Sequence, residues 1–180
     1  SERELRLSAE TTAEVSFALV SNLDEQTVLN EVLAQVEKLL PGFAYNVELI
    51  EDDRFLIVKA HRGYEKYGHD FSEYRRFPVE HLPLQWRVIQ ERKVLLVADT
   101  HNEDSWVTLP LYSWIRTHMC IPLLWKEQLL GILNIDHDTP NMLSEQNADG
   151  LRTLVNVAAV AIANAQLLDN TRQALNETSS

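Results

Sequence analysis

The stretch Asp136-His137-Asp138 has the residue types best suited to chemistry in this chain, because carboxylates and imidazoles bind metal ions and transfer protons. It follows an apolar run that predicts a buried strand. Side chains alternate across a strand, so Asp136 and Asp138 share a face and His137 points to the other. A metal site would need ligands from elsewhere, such as His118 on the adjacent strand. We therefore interpret the stretch as a solvated strand end without metal or catalysis, and keep Asp136 as a binding residue because Asn134 shares its face.

The single cysteine, Cys120, is the other candidate for chemistry, as the one possible thiol nucleophile. Its neighbours Met119 and Ile121 are apolar, and no adjacent base is evident that would lower its pKa. We interpret Cys120 as an inert core residue. One cysteine also excludes an internal disulfide framework and a multi-cysteine zinc site, which favours a reducing, cytoplasmic location.

Composition narrows the classes of partner. Acidic residues outnumber basic residues 27 to 16, and this formal net charge of -11 disfavours binding to nucleic acid or anionic membranes. No apolar run approaches the roughly 20 residues that span a bilayer, so we expect no membrane insertion. The N-terminus does not have the pattern of a signal peptide.

Segment 63–77 interleaves aromatic and basic residues, which fits either a stacking surface for single-stranded nucleic acid or a loop or short helix anchored on the core. The net charge favours the second interpretation.

Hydrophobic spacing predicts the elements that must position these residues. Apolar residues recur at spacings of three and four in residues 1–22, after Asp24, and along the last part of the chain to about Leu175, which predicts three long helices. Asp24 fits a helix N-cap, and Pro41-Gly42 ends that helix. Strands are predicted near 45–49, 54–63, 94–97, 116–124 and 129–136, with a short helix at 83–91. The hairpin pairs predict an antiparallel sheet with helices gathered on one face, an α+β sandwich.

The last predicted helix has more apolar surface than one sheet needs. A heptad-like stripe runs along it, and further apolar residues lie beside the stripe. This excess indicates that the helix packs on its own sheet and also on another helix or chain. The stripe consists of Leu151, Leu154, Ala158, Ala161, Ala165, Leu168 and Leu175, and Val155, Val157, Ile162 and Leu167 flank it.

Three runs together resemble a known family. They are NLDEQTVLNEVLAQVEKLLP, then RVIQERKVLLVADT, then MCIPLLWKEQLLGILNIDHDTPNMLSEQNADGLRTLVNVAAVAIANAQLL. In this order and spacing, over about residues 8–170, the chain resembles a GAF domain, the small-molecule sensing module of many bacterial signalling proteins. The resemblance implies an α+β fold in which the N- and C-terminal helices cover one face of a six-stranded antiparallel sheet. A segment from about 80 to 116 would cover the other face and enclose a ligand pocket.

The resemblance also implies a mode of signalling. Residues 1–180 would form a single sensory domain, with 1–22 and 150–178 as signalling and dimerisation helices. These helices would pair in a homodimer and continue into an output domain, such as a histidine kinase, a diguanylate cyclase or a phosphatase. The chain would then belong to a two-component or cyclic-dinucleotide system, as a regulatory domain and not itself an enzyme.

The expected pocket lining follows from the same resemblance. Apolar walls with a few polar groups are what a small-molecule site needs. Alternatively, the aromatic side chains fill the cavity themselves and leave a ligand-free dimerisation or spacer module. The predicted ligand-binding residues are Trp86, Trp106, Tyr112 and Trp114 from the covering segment, and Arg116, His118, Asn134 and Asp136 on or next to the strands beneath.

The sequence differs from two specialised branches of this family in the positions of its cysteines. Free methionine sulfoxide reductases have a similar strand ending in Asp-Ile-Asp, where this chain has Asn134-Ile135-Asp136. They use cysteines before and within the covering segment, which here has none, so this activity is the less favoured alternative. Bilin-binding members attach chromophore through a cysteine in a region that reads LPLYSWIRTH here, so covalent bilin is not expected. The cofactor or ligand is otherwise not identified by the sequence.

Overall fold

The computed structural model describes residues 24–71 and 75–178, so the helix predicted for residues 1–22 lies outside the described residues. The helices are α1 (Glu25–Leu39), α2 (Pro83–Glu91) and α3 (Glu145–Thr178). The strands are β1 (Ala44–Glu51), β2 (Phe55–Arg62), β3 (Arg76–Pro78), β4 (Leu95–Val97), β5 (Thr117–Trp125) and β6 (Gln128–His137). Short 3-10 turns lie at Glu65–Tyr67, Val79–His81, Thr100–Asn102 and Pro110–Tyr112.

Helix α1 begins where the sequence predicts. Asp24 is the N-cap, and its Oδ1 accepts a hydrogen bond from the backbone N–H of Thr27 at 2.7 Å. The helix ends at Leu39, and Gly42 turns the chain toward β1 with φ of 86°, a region that glycine adopts without strain. The buried side of α1 consists of Val28, Leu29, Val32, Leu33, Gln35 and Val36.

We expect Asp24→Ala to lower the Tm by about 2–4 °C, because the N–H of Thr27 loses its acceptor and the positive end of the helix dipole loses a carboxylate. Asp24→Asn should keep most of the stability, since an amide oxygen can still cap the helix. Thermal unfolding of the two variants beside the wild type tests this. Equal losses in both variants would contradict the capping role.

The strands form one antiparallel sheet in the order β3-β2-β1-β6-β5-β4. The predicted six-stranded antiparallel fold is therefore confirmed. At its centre β1 pairs with β6, so that Asn46 lies opposite Asn134 and Ala44 opposite Asp136. Gly131 permits this close approach, because a Cβ there would lie only 2.2 Å from the carbonyl oxygen of Glu48. The central pairing brings polar residues from two distant hairpins side by side.

Strand β3 is the one that periodicity did not predict. It lies at the end of segment 63–77, for which a loop or short helix was expected, and it pairs with Phe55–Ile57 at the edge of the sheet. Three residues are too few to show the alternation by which strands are recognised. The earlier part of the segment forms a 3-10 turn and buries Tyr64 and Phe71 completely, as the core-anchoring interpretation predicts.

The two faces of the sheet have different covers. Helices α1 and α3 pack on one face, against side chains that include Leu133 and Ile135 of β6. Residues 79–91 and 98–116, which we call the lid, cover the other face. Asn134 and Asp136 are buried on that side. Alternation along β6 therefore divides its side chains between the helical core and the lid.

The apolar stripe of α3 changes role along the helix. Its first part, from Leu151 to Ala163, is buried in the core with α1 and the sheet. From Asn164 onward the helix is largely exposed. Leu167, Leu168 and Leu175 are 61%, 56% and 63% exposed. Ala161, predicted as part of one continuous interface stripe, is instead buried within its own domain.

Helix α3 is also, within residues 24–71 and 75–178, the one helix long and apolar enough to cross a membrane by length and composition. Half of its most apolar window is buried inside the domain. A core helix of a soluble protein has the same features, so this property gives little support to a membrane span.

Candidate functional site

A cavity of about 70 Å³ lies between the lid and the face of the sheet formed by β1, β5 and β6. Polar side chains form its floor, and apolar and aromatic side chains form most of its walls. The floor consists of Asn46, Glu48, His118, Asn134 and Asp136. The walls include Val58, Phe71, Phe77, Leu82, Leu84, Trp106, Leu109, Tyr112 and Ile115. This composition is typical of a small-molecule site.

The floor contains a hydrogen-bond chain with a single direction. Asp136 accepts from the Tyr64 hydroxyl at 2.8 Å, and its other oxygen lies 2.6 Å from Nδ1 of His118. An ionised carboxylate only accepts, so the Tyr64 oxygen is left to accept from Nδ2 of Asn46 at 2.8 Å. The Asn46 amide oxygen in turn accepts from Nδ2 of Asn134 at 2.9 Å. Every donor in this series of hydrogen bonds points toward Asp136, so the orientations of the Asn46 and Asn134 side-chain amides are fixed.

Glu48 is the second acidic residue of the floor. It is 6% exposed, and its Oε1 accepts a short hydrogen bond from Nδ2 of Asn134. Burial raises the pKa of Glu48 to about 8; the hydrogen bond from Asn134 opposes this shift and the nearby charge of Asp136 adds to it. At neutral pH the protonated form of Glu48 therefore predominates.

Asn134 carries an acceptor that the protein leaves unused. Its Nδ2 donates to both Asn46 and Glu48, while its Oδ1 is buried and has no partner within the described part of the chain. A buried polar atom without a partner costs roughly 1–3 kcal/mol. This oxygen lies within the floor and is not accessible from the cavity that Asn134 lines.

Contacts between aromatic residues hold the lid against the sheet and against the segment 64–71 that follows β2. The Tyr67 and Trp114 rings are stacked with centroids 3.5 Å apart. The Tyr112 hydroxyl lies 2.8 Å from Nε2 of His69. Trp106 lies over the His118 ring, with centroids 5.0 Å apart. Two aromatic side chains of the lid, Trp106 and Tyr112, thus line the cavity without filling it.

The structure brings five of the eight predicted site residues to the cavity: Trp106, Tyr112, His118, Asn134 and Asp136. Their role in ligand binding remains a prediction.

Three predicted site residues do not line the cavity. Trp86 is 41% exposed, because it lies on the side of α2 opposite the buried residues of that helix. The Trp114 ring stacks on the Tyr67 ring and does not line the cavity. Arg116 forms a two-pronged ion pair with Asp99, at 3.1 and 3.2 Å, which holds its guanidinium away from the floor.

Sequence reasoning missed Asn46, Glu48 and Tyr64. Asn46 and Glu48 alternate with apolar residues along β1, which is also the pattern of a strand with one solvated face. The signal that could have identified them is their pairing with β6, since that places both on the face of Asn134. Tyr64 gave no such signal, because it reaches Asp136 from an irregular segment.

The stretch from Asp136 to Asp138 separates as strand alternation predicts. The His137 ring packs on Phe43, with centroids 4.7 Å apart, and Asp138 accepts from the Tyr67 hydroxyl at 2.9 Å. Residues 24–71 and 75–178 contain no group of three His, Cys, Asp or Glu side chains placed to hold a metal ion.

Cys120 lies under the lid side of the sheet and is fully buried. Burial raises the pKa of its thiol well above the usual range. We expect Cys120 to react with a thiol reagent at least about 100-fold more slowly in the native protein than in urea. A Ser113→Cys, Cys120→Ala variant, with its one thiol on an exposed lid position, is the fast-reacting control. Native Cys120 reacting as fast as this control would contradict its assignment to the core.

A family model described as "GAF domain" matches residues 22–163. No curated protein sequence is a significant match. Among solved structures, the GAF domain of an Acinetobacter phosphoenolpyruvate-protein phosphotransferase has a TM-score of 0.77 at 16% identity, covering 93% of this chain and 96% of that one. The corresponding domain from Coxiella burnetii has the same TM-score and coverages at 19% identity.

Free methionine-R-sulfoxide reductase from Neisseria meningitidis, solved with its substrate, is also similar. Its TM-score is 0.74 at 15% identity, covering 93% of this chain and 95% of that one. Likeness at these identities is a likeness of fold.

Proposed function

Because this chain belongs to the GAF domain family, we propose that it is a regulatory sensor domain that binds a small molecule between sheet and lid. The observation that carries the proposal is a cavity of about 70 Å³ that the lid leaves unfilled above a floor of buried polar side chains. A ligand-free spacer gains nothing from a buried polar floor beneath an unfilled cavity, whereas a ligand could hydrogen-bond to that floor.

The path from ligand to output runs through β6 and α3. Asn134 and Asp136 face the cavity, while Leu133 and Ile135 between and beside them pack against the helical layer. Strand β6 then leads by a short turn into α3. A ligand that favours one position of β6 would bias one arrangement of α3, which is the differential interaction that a signalling domain requires.

The exposed end of α3 is the proposed dimerisation and output element. Its exposed leucines would pair with those of a second copy, and the helix would continue the signal into an output domain such as a histidine kinase or a diguanylate cyclase. A cytoplasmic two-component or cyclic-dinucleotide protein is the setting that we propose. The reductase alternative would need a reactive thiolate, whereas the one cysteine is fully buried with a raised thiol pKa.

Ligand binding is tested by blocking the cavity. A screen of small metabolites by thermal shift should give at least one ligand that stabilises the domain. Val58→Phe, which fills the cavity wall, should abolish its binding by calorimetry, and Leu111→Phe, on an exposed lid position, should not. Binding that survives in a folded Val58→Phe protein, or a screen without any ligand, would favour the spacer alternative.

For the dimer, we expect Leu168→Glu combined with Leu175→Glu to shift the protein toward monomer in analytical ultracentrifugation, because charges replace the apolar contact surface of α3. Gln173→Glu, on the same exposed part of the helix, is the matched control for added charge. A wild-type protein that is monomeric, or a double variant that stays dimeric, would contradict this interface.

A further inference from the structure

We infer that the ligand of this cavity is a small organic cation that carries its charge on N–H groups, such as a substituted guanidinium or ammonium ion. This inference rests on the proposed ligand-binding function and specifies the chemical class of the ligand. It follows from the charge, the hydrogen-bonding direction and the size of the cavity.

The charge of the cavity selects against anions. Two of its lining residues, Glu48 and Asp136, are acidic, and the described lining contains no Lys or Arg. The nearest predicted cation, Arg116, is paired with Asp99 outside the cavity. A carboxylate or phosphate would therefore meet two acidic side chains and find no Lys or Arg to pair with, which also disfavours amino-acid zwitterions.

The hydrogen-bonding direction selects for donors. The amide donors of Asn46 and Asn134 are used within the floor. His118 directs Nδ1 to Asp136, and its Nε2 lies 3.4 Å from the Gln85 amide nitrogen. Glu48 supplies a carboxyl group beside the Asn134 amide, and its ionised form only accepts hydrogen bonds. A ligand with several N–H groups therefore fits the ionised carboxyl groups of Glu48 and Asp136.

The walls and the volume fit the same class. The aromatic side chains of Phe77, Trp106 and Tyr112 line the cavity, and aromatic rings attract organic cations in a desolvated site. A volume of 70 Å³ holds about five to seven water-sized groups. The expected ligand therefore has about five to seven non-hydrogen atoms.

Binding of a cation should be coupled to loss of a proton from Glu48. The titratable groups around Glu48 are Asp136 and His118 on the floor, Cys120 beneath it, and Tyr64 and Tyr112 from the covering segments, with no Lys or Arg in the described lining. The carboxylate form is the one that binds a cation, so the apparent Kd contains the ionised fraction of Glu48. Affinity should rise up to about tenfold per pH unit below pH 8 and level off above it.

Methylguanidinium and N-methylurea provide a matched pair of probes, because they have nearly the same shape and differ in charge. In calorimetry at pH 8 we expect methylguanidinium to bind at least about tenfold more tightly than N-methylurea, and acetate not to bind. Wild-type titrations in two buffers of different ionisation enthalpy should show proton release at pH 7. This measurement of proton release uses the wild-type protein alone, so it does not depend on whether a variant folds.

Glu48→Gln should reduce methylguanidinium affinity at least about tenfold and remove its pH dependence. Glu51→Gln, a half-exposed position on the same strand that pairs with Arg76, should change neither. A thermal melt of each variant shows that it is folded before it is titrated.

The possible outcomes separate this inference from the function on which it rests. If N-methylurea or acetate binds as well as methylguanidinium, or if only neutral or anionic metabolites bind in a manner sensitive to Val58→Phe, the cation inference is overturned and the sensor function stands. If no compound of any class binds, both are overturned. Methylguanidinium binding that is equal in wild type and a folded Glu48→Gln protein would also overturn the inference.

Discussion

Replacing Glu48 by Gln is expected to raise the free energy of unfolding at pH 8 by about 4 kcal/mol, while leaving it nearly unchanged at pH 4.5. The side chain is almost completely buried, and burial raises its pKa from 4.5 to about 8. Glutamine has the same shape and retains an oxygen for the hydrogen bond from Asn134, but it has no charge to desolvate.

The sign of this effect follows from proton binding. Between pH 4.5 and 8 the folded protein holds a proton on Glu48 that the unfolded chain has released. The unfolded state then binds fewer protons, so stability falls as the pH rises through this window and becomes level above pH 8. The contribution of Glu48 is most favourable below pH 4.5 and is lost as the pH passes the folded pKa.

Urea denaturation of wild type and Glu48→Gln at pH 5, 6.5 and 8 measures the difference, in which other titrating groups cancel to first order. Glu51→Gln is the control, because Glu51 is on the same strand and its side chain is half-exposed. A constant difference between wild type and Glu48→Gln at all three pH values would show that Glu48 ionises normally in the folded protein.

Asp136→Asn is expected to lower the free energy of unfolding by about 3 kcal/mol at pH 7. The Asp136 carboxylate accepts from Tyr64 and from His118 and is 3% exposed. An amide of the same size provides one acceptor oxygen in place of two and presents an N–H₂ group to a neighbour that is itself a donor. One donor is left unpaired in a buried site, which is the costly outcome.

Asp138→Asn is the matched control for this substitution, two residues along the chain. Its carboxylate also accepts from a tyrosine, Tyr67, but its side chain is 49% exposed, so we expect a loss below about 1 kcal/mol. Urea denaturation of both variants measures the two losses in free energy of unfolding. A double-mutant cycle of Asp136→Asn with Glu48→Gln measures the coupling energy between the two floor residues. Equal losses at positions 136 and 138 would show that the buried network contributes no more than a surface hydrogen bond.

The proposals for ligand and signal depend on one arrangement. The central β1–β6 pair places an acidic, acceptor-rich floor on one face of the sheet and the helical core on the other. In the proposed function, contacts for binding and contacts for signalling would therefore alternate along one strand. A change in ligand or in protonation of the floor would then reach α3 through the backbone of β6.

Several features of this protein could be read from sequence because their causes are local. Asp24 caps a helix through an atom three residues away, and the alternation of the two hairpins is a property of neighbouring side chains. The hairpin pairs were enough to predict an antiparallel sheet, and the resemblance of three sequence runs to a known family indicated the rest of the fold. The position of Cys120 inside an apolar strand could likewise be read from sequence, although its side chain packs with Leu56, Val88 and Ile132 from other segments.

Other features were decided by contacts between distant segments. Strand alternation put Asn46 and Glu48 on one face of β1, but it does not specify whether solvent or a lid covers that face. The lid itself is irregular and has no period, so the sequence could not show that Trp86 points outward, that Arg116 turns to Asp99, or that Tyr64 reaches Asp136 across 72 positions of the chain. Periodicity reports the direction of a side chain, and tertiary packing decides what that side chain meets.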